Sequence, residues 1–203
     1  MFEWPLLSIV IFSPLLGAIA ISFTKGEEAV IAKNSRNTAF FTTFISFVFS
    51  LLVWLQFNNE NASMQLINRY DILPKFFLNY VVGVDGISLF FILLTTLISM
   101  LCVASSWITH TPKLKEFMVS FLILESMVLG AFCAQNLMMF FLFYEGALLP
   151  LFVMIGLWGG ETAKHSAFRF ALSAIGGSMI MLPALLLIVF SAGTGYMLSL
   201  IHI

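Results

Sequence analysis

The stretch LMMFFLFYEGALLPLFVMIGLW, residues Leu137–Trp158, decides the fold of this chain. Its length is that of a helix that crosses a bilayer, because about 20 apolar residues at 1.5 Å each span the hydrocarbon core. Glu145 lies in the middle of this run. A charged side chain at that depth costs roughly 2.5–3.5 kcal/mol on insertion scales. A carboxyl is kept there when it has a partner, a water-filled path or a function, so Glu145 is the first candidate site residue.

The composition agrees with a membrane protein. Of the 203 residues, 61% are hydrophobic and only 9% are charged, whereas a soluble domain carries about 25% charged residues. The formal net charge is −1, so the chain has no positive excess that would attract nucleic acid. We therefore expect the lipid bilayer to surround this protein and expect no nucleic-acid partner.

Six apolar segments of 18 to 24 residues predict an all-α membrane protein with six transmembrane helices. None of them shows the alternation of a transmembrane β-barrel. The longest connection, Asn58–Gly83, is expected to be a structured loop at the membrane surface. The segments are Trp4–Phe23, Thr38–Phe57, Val84–Ser106, Phe117–Ala134, Leu137–Trp158 and Ala167–Phe190.

Lysine and arginine residues set the expected orientation. Most of them fall in or beside the first, third and fifth connections, and only Arg69 and Lys75 fall on the other side. The positive-inside rule then puts the odd connections in the cytoplasm and the N-terminus outside. The residues on the positive side are Lys25, Lys33, Arg36, Lys113, Lys115, Lys164 and Arg169.

Glu125 is the second acid that lies deep inside a predicted helix. It precedes the turn Gln135-Asn136 by ten residues, and Glu145 follows that turn by nine, so both lie roughly 14–15 Å below it. Apolar surroundings and a second nearby acid both disfavour ionisation, and a carboxyl tuned in this way can relay protons. The alternative is a structural acid that hydrogen-bonds between helices, with Ser120 or Ser126 as partners of Glu125.

Pro150 predicts a distortion of the fifth helix beside Glu145. It removes one backbone hydrogen bond and frees the carbonyl of Gly146, although a packing role is equally open. Asp85 is expected to cap the third helix. Close packing of the sixth helix is predicted by its small residues Ser173, Ala174, Gly176, Gly177 and Ser178. The chain shows no glycine-rich phosphate loop and no metal-ligand cluster, so we expect no cofactor or metal site in it.

Three stretches resemble the antiporter-like chain M family of bacterial NADH:quinone oxidoreductase, which is called subunit 4 in mitochondria. The second is the most specific, because its F-Y-E-x-x-L-x-P core is followed by W-G-G. The stretches are VGVDGISLFFILLTTLI (Val82–Ile98), FLILESMVLGAFCAQNLMMFFLFYEGALLPLFVMIGLWGG (Phe121–Gly160) and AFRFALSAIGGS (Ala167–Ser178).

The resemblance implies a proton-translocating membrane subunit of respiratory complex I that carries out no redox chemistry itself. Glu145 matches the family's helix-five glutamate, which pairs with a lysine on the seventh helix. Arg169 matches a basic residue at the start of helix six, and Glu125 resembles an acid of some close relatives. NADH, FMN, iron–sulfur clusters and quinone are implied in partner subunits, and the other membrane subunits of the complex are the implied partners. The implied location is the cell inner (cytoplasmic) membrane, with the mitochondrial inner membrane as the alternative.

The family also implies a division of the chain. Residues 1–116 are expected to form three N-terminal transmembrane helices, and residues 117–197 the start of the antiporter-like domain. Residues 198–203 do not resemble the family but look like a translated sequencing adapter, so we expect an N-terminal fragment that lacks the partner lysine and cannot pump protons alone. The alternatives are a subunit of a cation/proton antiporter or of a membrane-bound hydrogenase and, from another class, a structural membrane scaffold.

Overall fold

The computed structural model describes residues 5–61, 63–73, 78–108 and 112–200. The predicted start of the first helix at Trp4 lies outside the described residues. So do Lys75 of the predicted surface loop and the last three residues of the segment 198–203.

Helices dominate the described residues, and two strands accompany them. The helices are α1 (Leu6–Ser22), α2 (Glu28–Gln56), α3 (Gly86–Ser105), α4 (Leu114–Cys133), α5 (Leu137–Trp158), α6 (Ala163–Ala192) and the short α7 (Met197–Leu200). The strands are β1 (Gln65–Leu73) and β2 (Leu78–Val84).

The predicted number of six spanning helices is corrected to five within the described residues. The helices α2 to α6 are long and apolar enough to cross a membrane, whereas α1 has 17 residues. At 1.5 Å per residue α1 is about 25 Å long, which is a few ångströms less than the hydrocarbon core. The all-α membrane class itself is confirmed by these helices.

Two helices extend well beyond their apolar segments. The helix α2 begins at Glu28, ten residues before the predicted Thr38, and α6 spans Ala163–Ala192. Their polar ends continue the helix beyond the apolar segment, and hydropathy does not predict a helix over polar residues. Lys33 and Arg36, predicted in a connection, therefore lie in the first turns of α2.

The long connection predicted as a surface loop contains a β-hairpin. The strands β1 and β2 pair antiparallel, with Tyr70 opposite Tyr80 and Arg69 opposite Val81. The pairing is irregular near Leu66, whose φ is 53°. The β-branched residues of β2 favour an extended backbone, and this short element has no helical period to detect.

Buried hydroxyl groups join the first four helices inside an apolar core. Ser13 of α1 bonds Ser46 of α2 at 2.8 Å, and Ser50 of α2 bonds Thr96 of α3 at 2.9 Å. Ser126 of α4 donates to the backbone oxygen of Ile11 at 2.7 Å. Such pairs let polar groups sit at an apolar interface without loss of hydrogen bonds.

The connections alternate between the two ends of the bundle, as predicted. At one end the turn between α4 and α5 meets the hairpin, because the Gln135 amide donates to the Val81 oxygen at 2.8 Å. At the other end Lys115 Nζ donates to the oxygens of Ser22 and Thr24, both at 2.9 Å. This alternation puts the middle of α4, α5 and α6 at a common depth.

Candidate functional site

The fifth helix places Glu145 through a defined start. Asn136 is its N-cap, and its side-chain oxygen accepts hydrogen bonds from the amides of Met138 and Met139 at 3.0 and 3.2 Å. An N-cap of this kind satisfies amides that the first turn leaves free. The helix then runs without interruption to Trp158, so Glu145 lies near its middle.

Glu145 has a hydrogen-bond partner on the neighbouring helix. Ser178 Oγ of α6 donates to Glu145 Oε1 at 2.5 Å, and both residues are half-buried. The close approach of Gly156 to the Cβ of Ala167 shows the same antiparallel register of α5 and α6. The carboxyl therefore faces α6.

The sequence did not predict that Ser178 is a hydrogen-bond partner of Glu145. The small residues around it predict only helix packing. The position could have been found by counting residues from the turn of a helix hairpin, as for Glu125 and Glu145, because α5 and α6 also form a hairpin. Counting from the turn near Gly160 places Ser178 within one or two residues of the level of Glu145.

Glycines set the register between α4 and α5. A Cβ at Gly130 would lie 2.4 Å from the Phe143 ring, and one at Gly146 would lie 2.7 Å from Met127 Sδ. In this register Val128 lies opposite Glu145. Val128 follows Glu125 by three residues, so the two acids differ in depth by about 4.5 Å along the helix axis.

The two acids lie at similar depth but on different sides of the bundle. Glu125 lies beside α3, where it lines a groove with Ser99. Its side chain is 3% exposed, and neither carboxyl oxygen has a hydrogen-bond partner. Glu145 instead faces α6. The structure therefore does not show the two acids as one hydrogen-bonded pair.

The hydroxyls considered as structural partners of Glu125 do not satisfy it. Ser126 lies next to it in sequence but donates to the backbone oxygen of Ile11. Ser120 is buried in the same helix, and the carboxyl of Glu125 is nevertheless without a partner. The unmade hydrogen bonds of a buried carboxyl are costly, so this position calls for a further explanation.

None of the remaining predicted residues bonds the Glu145 carboxyl in the part of the chain that the structure describes. Pro150 is buried inside α5, which continues through it. Arg169 is exposed on α6, and nine residues separate it from Ser178, which corresponds to about 13.5 Å along the axis. Arg169 is thus not at the level of the carboxyl. Asp85 caps α3 as predicted, because its side chain accepts a hydrogen bond from the Ser88 amide at 2.7 Å.

Within the described ranges, no group of three or more His, Cys, Asp or Glu side chains is placed to hold a metal ion. The chemistry that the arrangement offers is proton exchange at two carboxyl groups. One of them has a hydroxyl partner across a helix interface, and the other is enclosed without one.

A half-buried acid in the middle of an apolar helix hairpin is a feature of membrane proteins that move ions or protons. Residues 134–203 match the family described as NADH:quinone oxidoreductase/Mrp antiporter, TM. This match covers the last third of the chain, and the whole sequence is similar to subunit M, also called chain 4, of NADH:quinone oxidoreductase.

The sequence relatives agree over nearly the whole chain. NADH-quinone oxidoreductase subunit M of Rhodobacter capsulatus is 39% identical over 93% of this chain, and that of Rickettsia prowazekii is 36% identical over 93%. NADH-ubiquinone oxidoreductase chain 4 of Chondrus crispus is 38% identical over 90%. This chain spans 36%, 38% and 37% of these three relatives, respectively.

Solved structures share the fold. A chain of respiratory complex I from Thermus thermophilus with bound NADH superposes with a TM-score of 0.80 at 23% identity, covering 96% of this chain and 38% of that one. A chain of the archaeal membrane-bound sulfane sulfur reductase superposes with a TM-score of 0.82 at 15% identity, covering 97% and 39%. At these identities the likeness shows the fold alone.

Proposed function

We propose that this chain is part of a membrane subunit of NADH:quinone oxidoreductase that couples electron transfer to quinone with proton translocation. The observation that carries the proposal is Glu145, which lies in mid-helix and accepts a hydrogen bond from Ser178 of the next helix. The relatives named subunit M or chain 4 support it, at 36–39% identity.

In this proposal Glu145 is the carboxyl that takes up and releases the transported proton. The hydroxyl of Ser178 compensates part of the cost of an ionised carboxyl in apolar surroundings. Ser178 also lies 2.9 Å from the backbone oxygen of Ala174 in its own helix. Its proton therefore has a second acceptor when Glu145 becomes neutral, and the pair can switch without a buried polar group being left unpaired.

Two further residues take part in the proposal. Glu125 is the relay acid at similar depth on α4. Pro150 leaves the carbonyl of Gly146 without a helical donor, which creates a polar position directly after Glu145. Both assignments are supported by their place in the hairpin of α4 and α5.

The proposed setting is the cell inner (cytoplasmic) membrane, with the mitochondrial inner membrane as the alternative. The end of the bundle that carries Lys113, Lys115 and Lys164 faces the cytoplasm in this proposal, because loops rich in lysine and arginine are retained there. Other membrane subunits of the complex are the partners. Partner subunits would hold the NADH, FMN, iron–sulfur clusters and quinone.

A cation/proton antiporter subunit is the second candidate. The matching family description includes Mrp antiporters, and the fold is shared with a chain of a membrane-bound sulfane sulfur reductase. Sodium-dependent transport that does not respond to NADH would favour the antiporter. A structural scaffold predicts instead that apolar residues are tolerated in place of both acids, because the cost of burying them disappears.

The decisive experiment replaces Glu145 by Gln in the protein that carries this sequence, within its assembled complex. The amide keeps the size and accepts the Ser178 hydrogen bond but cannot exchange a proton. We expect normal assembly, with NADH-driven proton uptake into membrane vesicles reduced at least tenfold. Glu161→Gln is the matched control, because Glu161 is an exposed acid in the turn before α6.

Proton uptake at the wild-type rate in an assembled Glu145→Gln complex would refute this assignment. An equal loss in the Glu161→Gln control would also count against it, since the effect would then reflect net charge.

A further inference from the structure

A groove runs between α3 and α4 on the outer side of the helix bundle. It encloses about 350 Å³, and its walls are mainly apolar. Residues at its rim, among them Leu94 and Ile98, are about half exposed, so the groove opens to the surroundings of the chain. Its lining comprises Phe91, Leu94, Thr95, Ile98, Ser99, Phe121, Leu124, Glu125, Val128 and Phe132.

Glu125 is the one acid in this lining. Its side chain is 97% enclosed, and both carboxyl oxygens are buried without a hydrogen-bond partner. Two hydroxyl residues share the lining, Thr95 and Ser99, and neither bonds the Glu125 carboxyl; Thr95 donates to the backbone oxygen of Phe91 at 2.7 Å. Glu125 therefore lines the groove while its carboxyl oxygens are buried with unused hydrogen-bonding capacity.

The charges around Glu125 offer no counter-ion among the described residues. The helix α1 has no ionisable side chain, and those of α2 lie in its first nine residues. On α5 the acid Glu145 faces α6. The ionisable groups of the elements packed on α4, with those of α4 itself, are Glu28, Lys33, Arg36, Tyr80, Cys102, Lys115, Glu116, Cys133, Tyr144 and Glu145.

We propose that Glu125 is a second proton-binding site, held as a neutral carboxylic acid, which exchanges its proton through the groove between α3 and α4 and not by way of Glu145. An ionised carboxyl without a partner in an apolar site is strongly disfavoured, so the neutral acid is the stable form. The inference gives Glu125 an exchange route of its own, separate from Glu145, and rests on the proposed function for its purpose.

The probe is dicyclohexylcarbodiimide, an uncharged, lipid-soluble reagent that requires a protonated carboxyl. The carboxyl oxygen bonds to the central carbon of the reagent while the carboxyl proton moves to one of its nitrogens. Rearrangement then gives a stable acylurea that contains all atoms of both reactants. We expect modification of Glu125 at neutral pH in membrane vesicles that contain the protein, as measured by peptide mass spectrometry.

Groove-filling variants test the route. Leu94→Trp places a bulky ring in the groove and should slow the labelling of Glu125 at least fivefold. Leu101→Trp is the matched control, since Leu101 is an exposed leucine of α3 that does not line the groove. Glu116, exposed at the start of α4, is an internal reference outside the groove and should stay unlabelled.

Infrared spectroscopy supplies an independent measurement. A protonated carboxyl has a carbonyl band that shifts in heavy water, and Glu125→Gln should remove that band while Glu145→Gln keeps it. The proposal is overturned when Glu125 stays unlabelled until the protein is unfolded, when Leu94→Trp and Leu101→Trp label alike, or when Glu125→Gln leaves the band unchanged. These results do not depend on proton pumping by Glu145, so the two proposals can fail separately.

Discussion

Ser178 Oγ lies 2.5 Å from Glu145 Oε1, and this hydrogen bond joins the middle of α6 to the middle of α5. It gives the intramembrane acid a partner that lies 33 residues away in the sequence. The bond is exchangeable, because the Ala174 oxygen offers the same hydroxyl another acceptor.

Replacing Ser178 by Ala should weaken the interface between α5 and α6 and impair proton transfer. The usual net contribution of one hydrogen bond is about 1 kcal/mol, and the half-exposed position argues against a larger value. We expect thermal unfolding at a lower temperature and proton uptake reduced several-fold in vesicles. Ser173→Ala is the control, since Ser173 is exposed and bonds only within its own helix turn, to Phe170. Identical behaviour of the two variants would remove Ser178 from the site.

Glycine 130 should not tolerate a side chain. A methyl group at Gly130 would lie 2.4 Å from the Phe143 ring. Overpacking of this kind typically lowers the free energy of unfolding by about 2 kcal/mol. We expect Gly130→Ala to lower the unfolding temperature in detergent. Gly176→Ala is the matched control, because no described atom apart from its own helix backbone and chain neighbours lies within 4 Å of its added methyl group.

The same substitution at Gly146 should have a smaller effect. Its methyl group would meet Met127 Sδ at 2.7 Å, and a methionine side chain is flexible enough to move away. The unfolding temperature should therefore be lowest for Gly130→Ala, higher for Gly146→Ala and highest for the Gly176→Ala control. A reversed order of the first two would contradict the register of α4 and α5 described above.

Lys115 should anchor the start of α4 to the end of α1. Its Nζ donates to the oxygens of Ser22 and Thr24, and a cation there also interacts favourably with the helix dipole. Lys115→Met should lower the free energy of unfolding by about 1 kcal/mol. The control Lys113→Met removes an exposed charge two residues away and should leave the free energy of unfolding, measured by chemical denaturation, unchanged. An equal decrease in the control would show that net charge, and not the contact of Lys115, is responsible.

Asp85 should make the stability of α3 depend on pH. Burial raises the pKa of Asp85, but hydrogen bonds from the Ser88 side chain and from backbone amides lower it more, so the pKa is below its ordinary value. The stabilisation is therefore complete above the unfolded pKa, about 3.9, and is lost as the pH falls through the lower folded pKa.

The loss of this stabilisation is measured as the free energy of unfolding from neutral pH down to pH values below the folded pKa of Asp85. Asp85→Ala should cost about 1 kcal/mol at neutral pH. Asp85→Asn keeps a capping oxygen and should lose most of the dependence on pH. An unchanged acid profile in Asp85→Asn would show that another group is responsible.

Hydropathy predicted most of the fold because the bilayer requires long apolar helices with satisfied backbone groups. The segment Leu137–Trp158 was predicted with the bounds that α5 has. The polar start of α2 and the hairpin of β1 and β2 were not predicted, since neither has apolar periodicity. The first segment was counted as a span, but α1 has 17 described residues.

The sequence by itself determined the membrane class, the alternation of the connections and the depth of both acids. Each of these follows from counting residues along helices of fixed rise. Only the tertiary structure decided that Glu145 faces Ser178 and that Glu125 lies in the groove beside α3 without a partner. The direction of a side chain around its helix depends on which neighbours pack against it, and that packing is set by contacts between different helices, such as Gly130 with Phe143.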